Sequence, residues 1–381
     1  MMKFPVLQNI RILFYFYDAV ILRFIKKPIR DVKRVLIVFP LSLGDAVMMY
    51  GTFEQISKIY RSQGYTLSII CHSEYSELFE PLVDEVIDVD LRKASSNLLY
   101  RYSFLKKCRG KYFDIVIDPT GAEDCTPGVY AVNAAVGDRK IGVIAKRDKK
   151  YQMPKKLRRQ IFTDIIEFDE KAIHRVRYYA EVFSEIMEKQ LEKKLANLPM
   201  NDLYDLPKDD YIIVFPSAST AIKRWPVEKF AEITRRIVEK HDYSVVVCGL
   251  ERDRDVTEKY ISLLNESIVI HDYLEKTSVL DVIGLVNKAS LVITNDTGIY
   301  HLAVATGRKT CCITGDYVHK MFIDYESEGL ADKTTLRTVM PGWECRDCEN
   351  SCKKVTEETY PCVLCNDTET VWKEIKELLE L

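Results

Sequence analysis

Apolar residues follow the two spacings of strands and helices along most of this chain. A short apolar run at residues 34–39 predicts a buried strand, and further strands are predicted at residues 66–71, 85–90 and 113–118. After the first run, apolar residues recur every three or four positions and predict an amphipathic helix: Ala46, Met49, Phe53, Ile56 and Tyr60. Buried strands separated by helices indicate a parallel sheet with helices on its faces. Downstream, the polar and basic residues 146–160 are expected to form a loop or a solvated face, and residues 173–191 a helix.

The same succession begins again in the second half, after a polar linker with two prolines at residues 197–210. Further strands are predicted at 211–215, 244–248, 290–294 and 309–314. One helix is expected to begin at Pro226, and another after Ser278, which forms a helix cap with Asp281. The tetrapeptide IVFP closes the first strand of each half. Two similar α/β lobes that face each other across a cleft are therefore predicted.

The amino-terminal residues combine an apolar stripe with basic residues. On a helix the stripe would comprise Ile10, Phe14, Tyr17, Ile21 and Phe24, and the segment ends with Lys26, Lys27 and Arg30. No apolar run approaches the roughly 20 residues that a transmembrane helix needs. The pattern fits a helix on an anionic membrane surface, and equally a helix packed on its own domain or on an oligomer partner.

Composition narrows the class of protein. The chain has 381 residues, of which 47% are hydrophobic, and this profile excludes disordered, collagen-like and coiled-coil proteins. Its 55 basic residues nearly balance 57 acidic ones, so no overall positive field favours nucleic-acid binding. A chain of this length with 11 cysteines and no evident cleavable signal favours a reducing cytoplasm over a secreted disulfide scaffold.

Three loops lie where a doubly wound sheet binds ligands, between the end of a strand and the start of a helix. The first, at residues 40–45, places Asp45 in the first helical turn, where a carboxylate is more often only a partner of the helix dipole. The second, at 216–226, offers hydroxyl groups and cations suited to phosphate oxygens.

The third loop, at residues 295–301, opens another helix. Backbone amides of Thr297 and Gly298 at a helix start can bind a diphosphate, and Asp296 can accept hydrogen bonds from hydroxyl groups. His301 lies one turn further on, either at the site or as a structural histidine. Neither the Walker motif nor the G-x-G-x-x-G fingerprint is present, which disfavours a P-loop ATPase and a dehydrogenase.

The segments VLIVFPLSLGDAV, ASTAIKRWPVEKFAEI and LVITNDTGIYHLAVATG, in this order and spacing, resemble the heptosyltransferase-like glycosyltransferases of family 9. The resemblance runs from about residue 33 to the end of the chain. It implies the GT-B fold, an α/β fold of two Rossmann-like, doubly wound lobes facing a cleft. The N-terminal amphipathic helical extension precedes the region that the resemblance covers. The expected domains are that extension, an acceptor-side lobe with the catalytic base, a donor-side lobe, and a cysteine cluster with a C-terminal helix, at 1–32, 33–195, 205–340 and 341–381.

The resemblance also implies roles for individual residues. Asp45 is expected to be the general base that takes the proton of the acceptor hydroxyl, as inverting displacement requires. Lys223 is expected to neutralise the leaving diphosphate without a divalent metal, assisted by the hydroxyl groups of Ser217, Ser219 and Thr220. The remaining donor contacts implied are Asp296 to sugar hydroxyls, Thr297 and Gly298 to phosphates with His301 nearby, and Glu251 to the ribose.

Five cysteines cluster near the end of the chain with the spacing of metal-binding knuckles: Cys345, Cys348, Cys352, Cys362 and Cys365. Four thiolates suit zinc or iron in a structural role, and a cluster of free thiols is the alternative. The resemblance favours the first four as ligands, whereas knuckle spacing favours Cys365 in place of Cys352.

The sequence thus predicts an inverting glycosyltransferase that takes a nucleotide sugar, most simply an ADP-heptose, and a glycan or lipid-linked glycan acceptor such as lipopolysaccharide core. It is expected in the cytoplasm, peripheral on the inner membrane face, with no nucleic-acid partner and with homo-oligomerisation open. Two alternatives remain at this point: a nucleotide-sugar-binding scaffold without transfer activity, and a sugar-nucleotide epimerase of similar architecture. The nucleotide, the sugar and the acceptor are not determined by the sequence.

Overall fold

The computed structural model describes residues 16–121, 127–145, 153–168, 173–201, 206–207, 209–345, 347–348, 352, 354 and 359–380. The chain divides into two units. Unit 1 comprises Met1–Lys171 and Tyr178–Lys193, and unit 2 comprises Ala172–Arg177 and Lys194–Leu381.

Unit 1 contains a parallel sheet of six strands. The strands are β1 Arg34–Phe39, β2 Thr66–His72, β3 Glu85–Val89, β4 Tyr112–Asp118, β5 Val136–Ala145 and β6 Asp164–Phe168. They pair in the order β3-β2-β1-β4-β5-β6. The helices are α1 at residues 16–24, α2 Leu43–Ser62, α3 Leu91–Ser96, α4 Leu98–Arg109, α5 Pro127–Ala134, α6 Lys155–Ile161 and α7 Arg175–Met187, the first turn of which belongs to unit 2. A 3₁₀ segment, Ser73–Leu82, follows β2.

Unit 2 repeats this plan. Its strands are β7 Tyr211–Phe215, β8 Ser244–Gly249, β9 Ile270–Leu274, β10 Leu291–Asn295, β11 Thr310–Ile313 and β12 Leu336–Val339. They pair in the order β12-β11-β10-β7-β8-β9. The helices are α8 Val227–Val238, α9 Arg254–Ser262, α10 Val279–Lys288, α11 Gly298–Ala305, α12 Pro361–Leu364 and α13 Thr368–Leu379.

Both sheets have the strand order of a Rossmann fold, because the first strand of each unit lies between the second and the fourth. In unit 1, Ile37 of β1 is in register with Ile69 of β2 and Ile117 of β4, and all three are fully buried. The predicted α/β class with two doubly wound units is confirmed. Ligands of such sheets bind beyond the carboxyl ends of the strands where the order reverses, here β1/β4 and β7/β10.

Sequence patterns located the central strands better than the outer ones. β5, β6, β9 and β12 were not predicted, and the last three lie at sheet edges where side chains are only partly buried. The Ser278–Asp281 cap of α10 is confirmed, whereas Pro226 precedes α8 as its cap instead of beginning it.

Of the two alternatives for residues 146–160, the loop is wrong for residues 155–160, which belong to a helix, whereas the solvated face agrees with the exposure of Lys155, Lys156, Arg159 and Gln160. Residues 155–161 form α6, which buries Arg158 and Ile161. The guanidinium of Arg158 donates to the Met153 carbonyl at 3.2 Å, so a basic side chain is accommodated inside the unit. Residues 146–152 lie outside the described part of the chain.

Helix α1 packs on unit 1 by a different face from the predicted stripe. Asp18 and Leu22 are buried, whereas Phe24 of the stripe is 84% exposed. Asp18 accepts two hydrogen bonds from the buried guanidinium of Arg101, one at 2.6 Å, and Arg101 also lies over the Tyr130 ring at 4.3 Å. Burial raises the pKa of Asp18 against the opposing effect of Arg101. Ile10 and Phe14 fall outside the described residues, within which we find no helix with the length and apolarity to cross a bilayer.

Removing one partner of this buried ion pair should destabilise unit 1. We expect Arg101→Met to lower the free energy of unfolding by about 3–5 kcal/mol, because Asp18 would stay buried without its cation. Urea denaturation followed by circular dichroism measures the change. The double variant Asp18→Leu/Arg101→Met should recover most of the loss, and the exposed control Arg92→Met should show little. Equal losses in the single and double variants would contradict this role.

Candidate functional site

Asp45 lies at the start of α2, immediately beyond the carboxyl end of β1. Ser42 caps the helix, and its hydroxyl donates to Asp45 Oδ2 at 2.6 Å. The Tyr179 hydroxyl donates to Asp45 Oδ1 at 3.4 Å. The half-buried carboxylate is therefore held by one hydroxyl on each oxygen, with further acceptor capacity for a substrate hydroxyl.

A second carboxylate, which the sequence reasoning missed, ends the neighbouring strand β4. Asp118 is fully buried, and its Oδ1 accepts from the amide and the hydroxyl of Thr120 at 2.9 and 2.6 Å. Oδ2 has no hydrogen-bond partner in the described structure, and burial raises the pKa of Asp118 to about 6. Its only sequence signal was a polar residue closing an apolar strand before Pro119.

In unit 2 the second and third predicted loops meet at the point where the strand order reverses. The Lys223 ammonium lies 3.0 Å from Asp296 Oδ2, and the Tyr317 hydroxyl donates to the same oxygen at 3.0 Å. Lys223 also lies 5.2 Å from the centroid of the Tyr317 ring. Lys223 and Asp296, both predicted site residues, thus form a salt bridge. Tyr317, which was not predicted, donates a hydrogen bond to the same carboxylate.

Electrostatics keep this buried carboxylate ionised. Burial acts to raise the pKa of Asp296, but Lys223 and the hydrogen bond from Tyr317 outweigh it, so the pKa lies below its ordinary value. Lys223 is partly exposed and carries three N–H donors, one of which binds Asp296. The ammonium can therefore also bind an anion such as a phosphate oxygen.

The other predicted donor residues differ in accessibility. Ser217 is fully buried and its hydroxyl donates to Asp253 at 2.6 Å, so it fixes the loop from inside. Ser219, Thr220 and Glu251 are exposed, Glu251 at the start of a short 3₁₀ turn. Only the exposed hydroxyls are thus placed to meet a ligand without a change in their existing bonds.

Helix α11 begins beyond β10, as the third loop predicts. Thr297 caps it and Gly298 is its first residue, both half-buried. Gly307, at φ 68°, follows the last turn. The amides at the helix start are arranged as an anion site would require.

His301 lies inside unit 2. It is buried, its Nδ1 is 2.8 Å from the Tyr325 hydroxyl, and burial lowers its pKa to about 3. His174, whose ring centroid is 4.3 Å from that of Tyr325, is buried with a pKa lowered to about 4. His301 is therefore neutral at pH 7 and forms part of a buried aromatic cluster.

Residues 359–366, which we call the C-terminal clasp, hold the loop that carries Lys223. The Tyr360 amide donates to the Ile222 carbonyl at 2.8 Å, and the Tyr360 ring stacks on Tyr317 with centroids 4.8 Å apart. The Trp225 indole donates to the Asn366 carbonyl at 2.9 Å. A Cβ at Gly315 would overlap the Cys362 sulfur, so glycine lets the clasp approach β11. These partners lie far away in the sequence, and no local pattern identified them.

The five cysteines are not grouped as a metal site within the described residues. Cys345 and Cys365 are exposed, whereas Cys362 is buried and Cys348 and Cys352 pack against the same core of unit 2. Within the described residues, no three His, Cys, Asp or Glu side chains are grouped so that they could hold a metal ion. The prediction of zinc or iron at Cys345, Cys348, Cys352, Cys362 and Cys365 is therefore not confirmed.

Solved structures share this architecture. Escherichia coli ADP-heptose heptosyltransferase II is 18% identical, with a TM-score of 0.63 over 91% of this chain and 99% of that one. A family 9 glycosyltransferase from Veillonella parvula is 18% identical, with a TM-score of 0.70 over 93% of this chain and all of that one. At these identities the likeness establishes the fold, which is GT-B.

Sequence comparisons establish the family. Lipooligosaccharide heptosyltransferase 2 of Haemophilus influenzae is 25% identical over 122 residues, which is 32% of this chain and 34% of that protein. The matching region thus spans only about a third of that curated relative. The model of glycosyltransferase family 9 (heptosyltransferase) matches residues 101–328, more than half of the sequence. The chain therefore belongs to glycosyltransferase family 9.

Proposed function

We propose that the protein is an inverting glycosyltransferase that moves a sugar, heptose or a related one, from a nucleotide-diphosphate sugar to a hydroxyl of a cell-surface glycan. ADP-heptose is the favoured donor, and a lipopolysaccharide core the favoured acceptor, because the chain belongs to a family described as heptosyltransferases. The proposal rests chiefly on the Lys223–Asp296–Tyr317 cluster at the helix start beyond β10.

Unit 2 supplies the chemistry that a donor requires. The ammonium of Lys223 and the amides of Thr297 and Gly298 would bind the diphosphate, while the Asp296 carboxylate would accept from a sugar hydroxyl. Ser219 and Thr220 would add hydroxyl donors, and Glu251 a carboxylate for the ribose. Because the loop is already held by the clasp and by Asn295, which donates to the Pro216 and Ser217 carbonyls, these groups need little reorganisation as charge develops.

Unit 1 would activate the acceptor. The acceptor oxygen attacks the anomeric carbon of the donor sugar while Asp45 takes its proton, and the bond from that carbon to the diphosphate oxygen breaks on the opposite face. The released diphosphate carries away the negative charge, which Lys223 and the helix start stabilise. Ser42 and Tyr179 hold the carboxylate of Asp45 in place for the proton transfer.

The first experiment is a thermal-shift and calorimetric screen with ADP, UDP, GDP, dTDP and their available sugars, with and without magnesium. A ligand at roughly 100 times its dissociation constant adds about 2.7 kcal/mol of stability. Stabilisation by one nucleotide without magnesium supports the proposal and identifies the donor class. Binding without transfer to any acceptor would support a scaffold, and conversion of the donor without acceptor would support an epimerase.

The cysteine cluster and the cellular location need their own measurements. Metal analysis of the purified chain, compared with a Cys345→Ser/Cys348→Ser variant, decides whether zinc or iron is bound.

We place the reaction at the cytoplasmic face of the inner membrane, where a lipid-linked acceptor would be available. The oligomeric state is measured by sedimentation.

Replacing Asp45 tests the acceptor half of the mechanism. Asp45→Asn keeps the size of the side chain but removes the base, so transfer should fall by about 10²–10⁴-fold while donor binding stays nearly unchanged. Single-turnover transfer and calorimetry measure the two. Glu80→Gln, which changes an exposed carboxylate of the same unit, is the matched control. Equal transfer by Asp45→Asn and the parent would disprove the base assignment.

Replacing Lys223 tests the donor half. Lys223→Ala should weaken donor binding by roughly 10–100-fold, the value of a charge-assisted hydrogen bond, and should lower transfer as well. The double variant Lys223→Ala/Asp296→Asn separates this effect from the cost of an uncompensated buried carboxylate. Lys288→Ala, at an exposed position of unit 2, should bind donor normally. Unchanged binding by Lys223→Ala would remove Lys223 from the site.

A further inference from the structure

Helix α1 presents apolar side chains to solvent on the side that does not pack on unit 1. Val20 is 56% exposed and Phe24 is 84% exposed, and Ile29, just beyond the helix, is 83% exposed. The opposite side is fixed by the buried Leu22 and by the ion pair of Asp18 with Arg101. The apolar side chains are therefore displayed by an anchored helix and have no cover among the described parts of the chain.

Cations accompany these apolar residues on the same short segment. Arg23, Lys26 and Lys27 are exposed, and with Arg109 they line a surface cavity of about 510 Å³. The other described lining residues are apolar or uncharged: Ala19, Leu22, Ile25 and Asn133. No described residue of the lining is acidic, so the cavity favours an anion.

Among the described residues, two cations beside the cavity contact neutral carbonyl groups and no carboxylate. The guanidinium of Arg109 donates to the carbonyl groups of Ile25 and Ala134, at 3.2 and 3.3 Å. Behind it, Lys140 donates to the Val132 carbonyl at 2.8 Å, and burial together with Arg109 and Lys27 lowers its pKa to about 8. These cations are thus satisfied by neutral carbonyl groups, and a bound anion would relieve their mutual repulsion.

We propose that α1 and this cavity form a docking surface for an anionic phospholipid bilayer. The phosphate of a lipid headgroup occupies the cavity, bound by Arg23, Lys26, Lys27 and Arg109, while Phe24 and Val20 insert between neighbouring lipids. A bilayer fits better than a soluble anion, because exposed apolar side chains and cations project from the same segment, as in interfacial helices. The inference does not depend on the transfer reaction.

Vesicle sedimentation with the full chain tests this proposal. We expect binding to vesicles of phosphatidylcholine mixed with phosphatidylglycerol, and little binding to phosphatidylcholine alone. Each cation near an anionic surface contributes about a fivefold factor in partitioning, so Arg23→Gln/Lys26→Gln/Lys27→Gln should bind roughly 100-fold more weakly. Phe24→Ser should also bind more weakly, without a change in thermal stability, because the side chain is exposed.

A matched control carries the same change of charge elsewhere. Lys240→Gln/Lys288→Gln/Lys333→Gln alters three exposed lysines of unit 2 and should bind vesicles as the parent does. Equal weakening by both triple variants would reduce the effect to net charge and overturn the proposal. Equal binding of the parent to both kinds of vesicle would also overturn it. So would a Phe24→Ser variant that still binds vesicles but has lost an oligomeric state of the parent in analytical ultracentrifugation.

Discussion

Parallel pairing of the strands in both sheets decides where chemistry can take place in this protein. Because all strands of a sheet run the same way, the loops that follow them meet at the carboxyl-terminal end of the sheet, and the reversal of strand order opens a crevice there. In unit 1 this end of the sheet carries Asp45 and Asp118, after β1 and at the end of β4. In unit 2 it carries Lys223 and Asp296, after β7 and β10. Side chains far apart in the sequence come together for this reason.

The carboxylates at this end of the two sheets have different surroundings. Asp45 is held by single hydroxyl contacts on a long helix, an arrangement that leaves a carboxylate able to exchange partners. Asp296 is buried and shares one oxygen between an ammonium and a phenol, an arrangement that fixes charge in place. An exchangeable carboxylate is the environment that a general base needs. A fixed arrangement of charge is the environment that a binding site for an anionic donor needs.

The local sequence pattern predicted the strands that have the same buried, apolar surroundings on both faces. β1, β7 and β10 are buried on both faces and therefore have continuous apolar sequences. β9 lies at an edge of its sheet, where Asp272 is exposed and His271 is only partly buried, and no apolar run marks this strand. Prediction of the site followed the same rule: Asp45, Lys223 and Asp296 lie in loops recognisable from adjacent strands.

Tyr317, Asp253 and the clasp were missed because their importance comes from packing between distant segments. Tyr317 lies 21 residues beyond Asp296, and Asn366 lies 141 residues beyond Trp225. The face of α1 that packs was also missed, since the pattern of apolar residues favoured a stripe containing Phe24, whereas burial of the Asp18–Arg101 pair turns Leu22 inward.

The sequence separation of 141 residues between Trp225 and Asn366 of the clasp also sets an order of events during synthesis. A ribosome that adds roughly 5–20 residues per second needs on the order of ten seconds to synthesise the chain between them. Within that interval the strands β8 to β11 are synthesised and can pair with β7 and with one another, while the Trp225 ring and the loop of Lys223 still lack the partners that the clasp supplies. Unit 2 of the nascent chain thus passes through a stage in which its sheet is formed while the loop of Lys223 still lacks its C-terminal support.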